Sequence, residues 1–410
     1  MRRFARLYIA LFLIDAGLSL VDELLAAVFA PLPIFSGVRF FVAYVVIALS
    51  MVLYACMGID RRLPKRVFLP LTIYIFWCAL ALWPLSGVIA RESLGVLSSV
   101  GQLVIGGLVI VLLRDPDGNS LLSRERFRTP FFSFRNTLGF TGINLLLLPL
   151  VLVYTGLATT SYYFEQQTAG FLRLSPIGIY MTERYYHLDG KKVRLAGMMH
   201  IGREEYYADL ADSISATGTI ILAEGVTDQD RLLESRLDYN ALAGVIGLTS
   251  QDKMEIDGNL VDLDDLDLVS ENVGMQDKPD IARADIDLNR FDPETVEFLN
   301  VLGRTMFSGK PWIDALAEYN LWVNDNMTEE GVAGVMADIL DKRNVVVIDS
   351  MVRSLARYDT IIIPWGALHM PAIEAAVVEQ GFVPGGKRER LSLDFRTIPY
   401  VELWQKWSAK

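Results

Sequence analysis

VRLAGMMHIGREE, residues 193–205, ends a short apolar run in Gly-x-x-His and turns at once into a helical pattern. A near copy, TIIIPWGALHMPAI, occupies residues 360–373. Gly197 and His200 mark the first copy, Gly366 and His369 the second, in a chain that holds 3 histidines altogether. Run, turn and helix in that order describe the end of a parallel strand, the place in an open α/β sheet where reactive side chains collect. Glycine there admits a tight or positive-φ turn, and the histidine then projects into the crevice near a helix N-terminus. Two such turns from one sheet direct two imidazoles at one site. A lone histidine in this position is often a packed residue bonded to a backbone carbonyl; the repetition favours a shared site.

The residues after the first copy extend the pattern. Residues 192–196 read as a strand and 204–215 as an amphipathic helix with Tyr207, Leu210, Ala211 and Ile214 on one face. Residues 219–223, TIILA, form a fully apolar strand that runs into Glu224-Gly225. Strand, helix and strand make one βαβ unit, whose parallel strands bring His200 and Glu224 to the same edge. Glu224 is thus a candidate catalytic or ligating carboxylate, with a helix N-cap or a structural ion pair as the alternative. Residues 231–256 are partly helical in pattern. The acidic connection at 257–290 contains DLDDLD and DLVSEN but lacks the residue order of a calcium loop, so it reads as a solvated surface. Helices are expected at 293–307, 312–319 and 328–342, with further helical spacing through Val347, Met351, Leu355 and Tyr358. A strand at 358–364 follows, and then a helix with Pro371 in its first turn and Gly381 at its C-cap. The fold class expected for residues 161–410 is an α/β domain with a central, mostly parallel sheet.

Residues 1–160 are different in kind. The chain is 52% hydrophobic, and the excess lies in five apolar segments at about 7–30, 37–58, 67–89, 94–113 and 137–158, each near the length of about 20 residues needed to cross a bilayer. A multi-span transmembrane region of about five helices is expected. Residues 1–157 carry 14 Lys and Arg against 8 Asp and Glu, whereas residues 158–410 carry 24 against 41. So acidic a second half argues against a nucleic-acid partner. Arg2, Arg3 and Arg6, then Arg61, Arg62, Lys65 and Arg66, then Arg114, Arg124, Arg126, Arg128 and Arg135 fall in alternate loops. That bias puts the N-terminus in the cytoplasm and, after five crossings, the C-terminal domain outside it, in a plasma or bacterial inner membrane. Asp15, Asp22 and Glu23 lie in the first segment, where acids are costly enough to count as functional candidates; the alternative for Asp22 and Glu23 is a tilted or interfacial end, or pairing with a neighbour such as Arg39. Cys56 and Cys78 both lie in apolar segments, so the second half has no thiol nucleophile and no thiolate metal site.

With these residues laid out, the second half resembles the TraB/GumN/Tiki group of proteins. The likeness rests on GMMH at 197–200, the glutamate of ILAEG at 224, Arg343-Asn344, and GALHMPAIEAAVVEQGF at 366–382, and it covers roughly residues 175–385. It implies an α/β domain similar to erythromycin esterase and to the haem-binding ChaN proteins. For the Tiki branch it implies a divalent-metal-dependent protease, with His200, Glu224 and His369 as the centre and Arg343 and Asn344 lining it. The leading expectation is therefore hydrolysis of a peptide, amide or ester assisted by Zn²⁺ or a similar ion. His200 and His369 would be ligands, and Glu224 a third ligand or the base for the attacking water. Arg343 and Asn344 would meet a substrate carboxylate or the oxyanion. A metal-free form of the same reading uses one histidine as general base, oriented by Glu224. The competing class is a non-catalytic protein that binds a peptide signal or haem, to which Met198, Met199 and Met370 beside the histidines would suit themselves.

Overall fold

The structure is a computed structural model and describes residues 1–28, 33–89, 91–114, 121–214, 218–234, 248–251, 254, 256–263, 278–306, 310, 312–402 and 405. Most of the stretch 231–256, and residues 264–277 of the acidic connection, which include DLVSEN, lie outside the described residues. The chain forms two compact units, Met1–Tyr162 and Tyr163–Lys410.

The first unit contains helices α1 (Arg2–Val28), α2 (Pro33–Ile59), α3 (Lys65–Ala79), α4 (Arg91–Leu113) and α5 (Phe134–Gln167), the last of which runs on into the second unit. Among the described residues four of these, α1, α2, α4 and α5, are long and apolar enough to cross a membrane. The expectation of five spanning helices is corrected at the third segment. There α3 stops after 15 residues, about 22 Å of helix, because the chain leaves the helical basin at Ala81 and Leu82, both at positive φ. Even so, this segment passes from one end of the bundle to the other. At one end Arg2 Nε donates to Leu122 O (2.8 Å), Arg6 Nε to Leu121 O (2.7 Å) and Arg62 Nη1 to Phe127 O (3.0 Å), so the three arginine-rich stretches meet. There too Lys65, the first residue of α3, bonds Asn136 of α5. Beyond α3, the Trp83 ring packs on Tyr154 of α5 with centroids 5.3 Å apart. Asn136 and Tyr154 are 18 residues apart on one helix, about 27 Å. The irregular turn after α3 supplies the length that the short helix lacks.

In the second unit the sheet joins five parallel strands to an antiparallel group built on one long strand. Its strands are β1 (Leu172–Leu174), β2 (Gly178–Leu188), β3 (Lys191–Met198), β5 (Thr219–Ala223), β7 (Asn259–Val261), β8 (Asp280–Arg283), β9 (Thr360–Gly366) and β10 (Val383–Asp394), while β4 (Ile201–Gly202) and β6 (Thr249–Ser250) pair separately. The order is β1-β2-β3-β9-β5-β8-β7, with β10 on β2. The pairs β3–β9, β9–β5, β5–β8 and β8–β7 are parallel, and β2 is antiparallel to β1, β3 and β10. The central parallel strands β5 and β9 are almost wholly apolar because both of their faces are covered. Val193, Leu195, Ile220, Leu222, Ile361 and Ile363 are buried together in one core with Val347, Met351 and Trp365.

Among the described residues the α-helices of this unit are α6 (Glu204–Asp212), α7 (Pro293–Met306), α8 (Trp312–Asn326), α9 (Glu329–Met336), α10 (Arg343–Ser354) and α11 (Met370–Glu379). The Thr328 side chain caps α9, accepting from Gly331 N–H at 3.0 Å. Thr328→Ala should therefore cost about 1 kcal/mol, read as a lower midpoint in urea unfolding with an unchanged slope. A six-residue π-helical turn, Ala337–Lys342, joins α9 to α10. Such turns are frequent where a helix presents functional side chains, and this one delivers Arg343 and Asn344.

Candidate active site at the carboxyl edge of the parallel strands

Four adjacent parallel strands, β3, β9, β5 and β8, each contribute a polar residue just past the carboxyl end. His200 follows β3, Glu224 follows β5, Asp285 follows β8 and His369 follows β9. Their convergence is a consequence of parallel pairing, which puts the ends of neighbouring strands at one edge.

The centre is the Arg343 guanidinium, reaching in from the start of α10. Nε and Nη2 donate to the two oxygens of Asp285 at 3.0 and 2.7 Å, and Nη2 also donates to Glu224 Oε1 at 2.8 Å. Nη1 donates to His369 Nε2 at 3.3 Å and to Ile339 O at 3.5 Å. All five N–H groups of the fork thus have acceptors. Glu224 Oε2 accepts the Gly366 N–H at 2.7 Å, and Asp285 accepts those of Gly225 (2.9 Å) and Ile286 (2.8 Å). The guanidinium also lies over the Trp365 ring, 5.3 Å from its centroid, while the indole N–H is held by Leu222 O at 2.9 Å. Burial works against the charge of Arg343, but the hydrogen bonds and charge of Asp285, then of Glu224, outweigh it and push its pKa up.

His369 is 4% exposed and is fixed from both sides. Its Nδ1 lies 2.8 Å from Asn344 Oδ1, and its Nε2 faces the donor Nη1 of Arg343. An arginine can only donate, so Nε2 carries the lone pair and Nδ1 the proton, which Asn344 Oδ1 accepts. Burial, chiefly, lowers the pKa of this imidazole from 6.5 to about 4; Glu224 and Asp285 oppose that fall, while Arg343 and His200 add to it. His369 is therefore neutral at pH 7, with its basic nitrogen 3.7 Å from Glu224 Oε1.

His200 is placed differently. It is exposed, and its Nδ1 lies 3.1 Å from Gln251 Oε1 while Gln251 N–H donates to His200 O at 2.8 Å. Tyr206 and Tyr207 of α6 hold the preceding turn through Gly197 O (3.1 Å) and Met199 O (2.7 Å). The structure thus brings His369, Glu224, Arg343 and Asn344 into one cluster and sets His200 at its rim, near enough to bear on the charge of His369.

The glycines do not serve as the positive-φ turns expected of them. Gly197 and Gly366 end β3 and β9 in extended backbone. A Cβ on Gly197 would come within 3.2 Å of Phe171 and of Thr182 O, and one on Gly366 would reach 3.4 Å from His369 and 3.6 Å from the Glu224 oxygens. Close packing gives a reason for glycine at the first position, whereas at the second a Cβ would make only ordinary contacts. Met198 and Met370, 1% and 0% exposed, belong to the core, and Met199 packs against it.

The divalent centre expected from His200, His369 and Glu224 does not fit this donor set. Both Glu224 oxygens accept hydrogen bonds, and a permanent cation stands against His369 Nε2, where a metal would have to sit. Among the described residues no three His, Cys, Asp or Glu side chains are grouped to hold an ion.

Asp285 has no counterpart among the residues picked out from the sequence. Its signal is the one that marks Glu224, an acid just past a buried strand, but β8 is four residues long and lies inside the acidic run. No family model, curated protein or solved structure matches the chain.

Proposed function

We propose that the second unit is a hydrolase of esters, amides or peptides that works through His369 as general base, without a resident metal ion. The observation that supports this reading is the fixed tautomer: a buried, neutral imidazole offers Nε2 toward Glu224, with Asn344 holding the opposite nitrogen. As Arg343 Nη1 turns away from Nε2 toward the substrate carbonyl oxygen, that nitrogen is freed to take a proton from water, whose oxygen attacks the carbonyl carbon. The imidazolium so formed is stabilised by Glu224 and then protonates the leaving group as the tetrahedral adduct collapses. Arg343 Nη1 makes the two longest of that side chain's bonds, 3.3 and 3.5 Å, so it is the group that turns most readily to the developing oxyanion. His200, exposed at the rim, meets the substrate on entry. Buried charge networks also occur as purely structural devices; a neutral base set beside one at a strand-end crevice is what favours catalysis here.

The likeness of GMMH, Glu224, Arg343-Asn344 and GALHMPAIEAAVVEQGF to the TraB/GumN/Tiki group supports the same class of reaction. On the positive-inside rule the arginine-rich end of the first unit faces the cytoplasm. Five passes then carry the chain out of the bundle at the opposite end, and the hydrolase works outside the cytoplasm.

The test is hydrolysis of a panel of fluorogenic ester and peptide substrates by the full chain in lipid nanodiscs, with and without a chelator. Turnover is expected to survive chelation and to be lost in His369→Asn. Loss on chelation with recovery on adding Zn²⁺ would contradict the metal-free route. Equal turnover by the two proteins would remove His369 from the chemistry.

A further inference from the structure

The first unit has a buried acid that its packing does not use. Asp15 of α1 is 5% exposed, in the middle of the bundle. Gln102 of α4, also 5% exposed, donates to Asp15 Oδ2 at 2.9 Å and to Phe12 O at 2.9 Å, so both amide hydrogens are placed. Asp15 Oδ1 has no hydrogen-bond partner. Gln102 pins Oδ2 as an acceptor, so a proton on this carboxyl sits on Oδ1, the oxygen left open.

A polar path leads to it. Asp15, Ser19 and Asp22 are spaced four and three residues apart and share one face of α1. Arg39 of α2 donates to Ser19 Oγ at 3.2 Å and to Asp22 Oδ2 at 3.0 Å, Ser36 donates to Asp22 at 2.8 Å, and Glu23 lies 3.6 Å from Arg39. These groups lie at the end of the bundle away from the arginine-rich loops, since Arg39 is near the start of α2 and α2 ends beside the second loop. Among the described residues, the titratable or charged groups that act on Asp15 are Tyr8 on its own helix, Arg39 from α2 and Cys78 from α3; α4 contributes the neutral Gln102.

We infer that Asp15 is a proton-binding site of the membrane unit, a carboxyl that takes up and releases a proton through Ser19 and the Asp22–Arg39 pair. An ionisable residue inside a span is expensive unless it is used, and those that face a bundle interior commonly carry protons or ions. The open oxygen distinguishes Asp15 from a satisfied structural acid, and Arg39 near the entrance disfavours a metal cation as the occupant.

Infrared difference spectroscopy of the full chain in lipid bilayers, between mildly acidic and mildly alkaline buffer, tests this. A carboxylic-acid carbonyl band should appear on the acidic side, be absent from Asp15→Asn and shift in frequency in Gln102→Leu, which removes the donor to Oδ2. The second variant identifies the band even if the first fails to fold. A band that persists unchanged in Asp15→Asn, or one present at every pH, would overturn the inference. So would suppression of the band by Na⁺ at constant pH, which would make the ligand a metal cation.

Discussion

Arg343→Met is expected to destabilise the second unit by about 3–5 kcal/mol, the range for removing one partner of a buried ion pair. The loss arises from what stays behind. The Glu224 and Asp285 side chains are 4% and 0% exposed, and without the guanidinium two carboxylates share a pocket with no compensating charge. Backbone N–H groups of Gly366, Gly225 and Ile286 remain to both, which keeps the loss within that range. Arg343→Lys should recover little, because a point charge cannot reproduce a bidentate fork on Asp285 and a third bond to Glu224. Asp285→Asn added to Arg343→Met should restore part of the loss by removing one of the stranded charges. Urea unfolding of the full chain in mixed micelles, followed through tryptophan fluorescence, checks this. A loss below about 1 kcal/mol would mean that the cluster is solvated, as exposed pairs are.

His369→Asn should act on rate and on the pH dependence of stability. As general base, His369 is expected to contribute about 10²–10⁴-fold to turnover. Its folded pKa of about 4 lies below the ordinary 6.5. Between those values the unfolded chain binds a proton that the folded chain refuses, so stability falls as pH falls through this window and levels off below about 4. The loss amounts to about 3 kcal/mol for a group so fully buried. Above pH 6.5 this histidine contributes no pH dependence. His369→Asn should therefore have a flatter stability profile than the wild type between pH 6.5 and 4. Turnover by the wild type should rise with pH through about 4 and stay level across neutrality. An activity limb near 7 would indicate a metal-bound water instead.

Much of the catalytic edge is readable from local pattern. TIILA and TIIIPW are fully apolar because parallel strands are covered on both faces, and the residues that follow them, Glu224 and the Gly366–His369 turn, take their place from that. What local pattern misses is set by distant partners. The strand β10 contains KRER, which is polar in sequence, yet it pairs along β2 through Arg388↔Glu183 and Arg390↔Met181. The four residues of β8 become a strand by lying between β5 and β7, and Asp285 gains its place only with them. Arg343 is one arginine among many in the sequence and stands out only through the family likeness; the π-helical turn before it leaves no residue signature. The pairing of His200 with His369 is looser than the repeated motif suggests, because after β3 the chain enters β4 and ties His200 to Gln251.

Catalysis through His369 depends on the protonation state of one imidazole, and ¹⁵N NMR of histidine-labelled protein reports that state directly. The chain has 3 histidines, so His369→Asn identifies the resonances of interest by subtraction. At neutral pH the His369 pair should show a protonated Nδ1 and an unprotonated Nε2, unchanged by chelator, and should titrate at about 4. An Nε2–H tautomer, a titration near 6.5, or resonances that move when a chelator is added would contradict it.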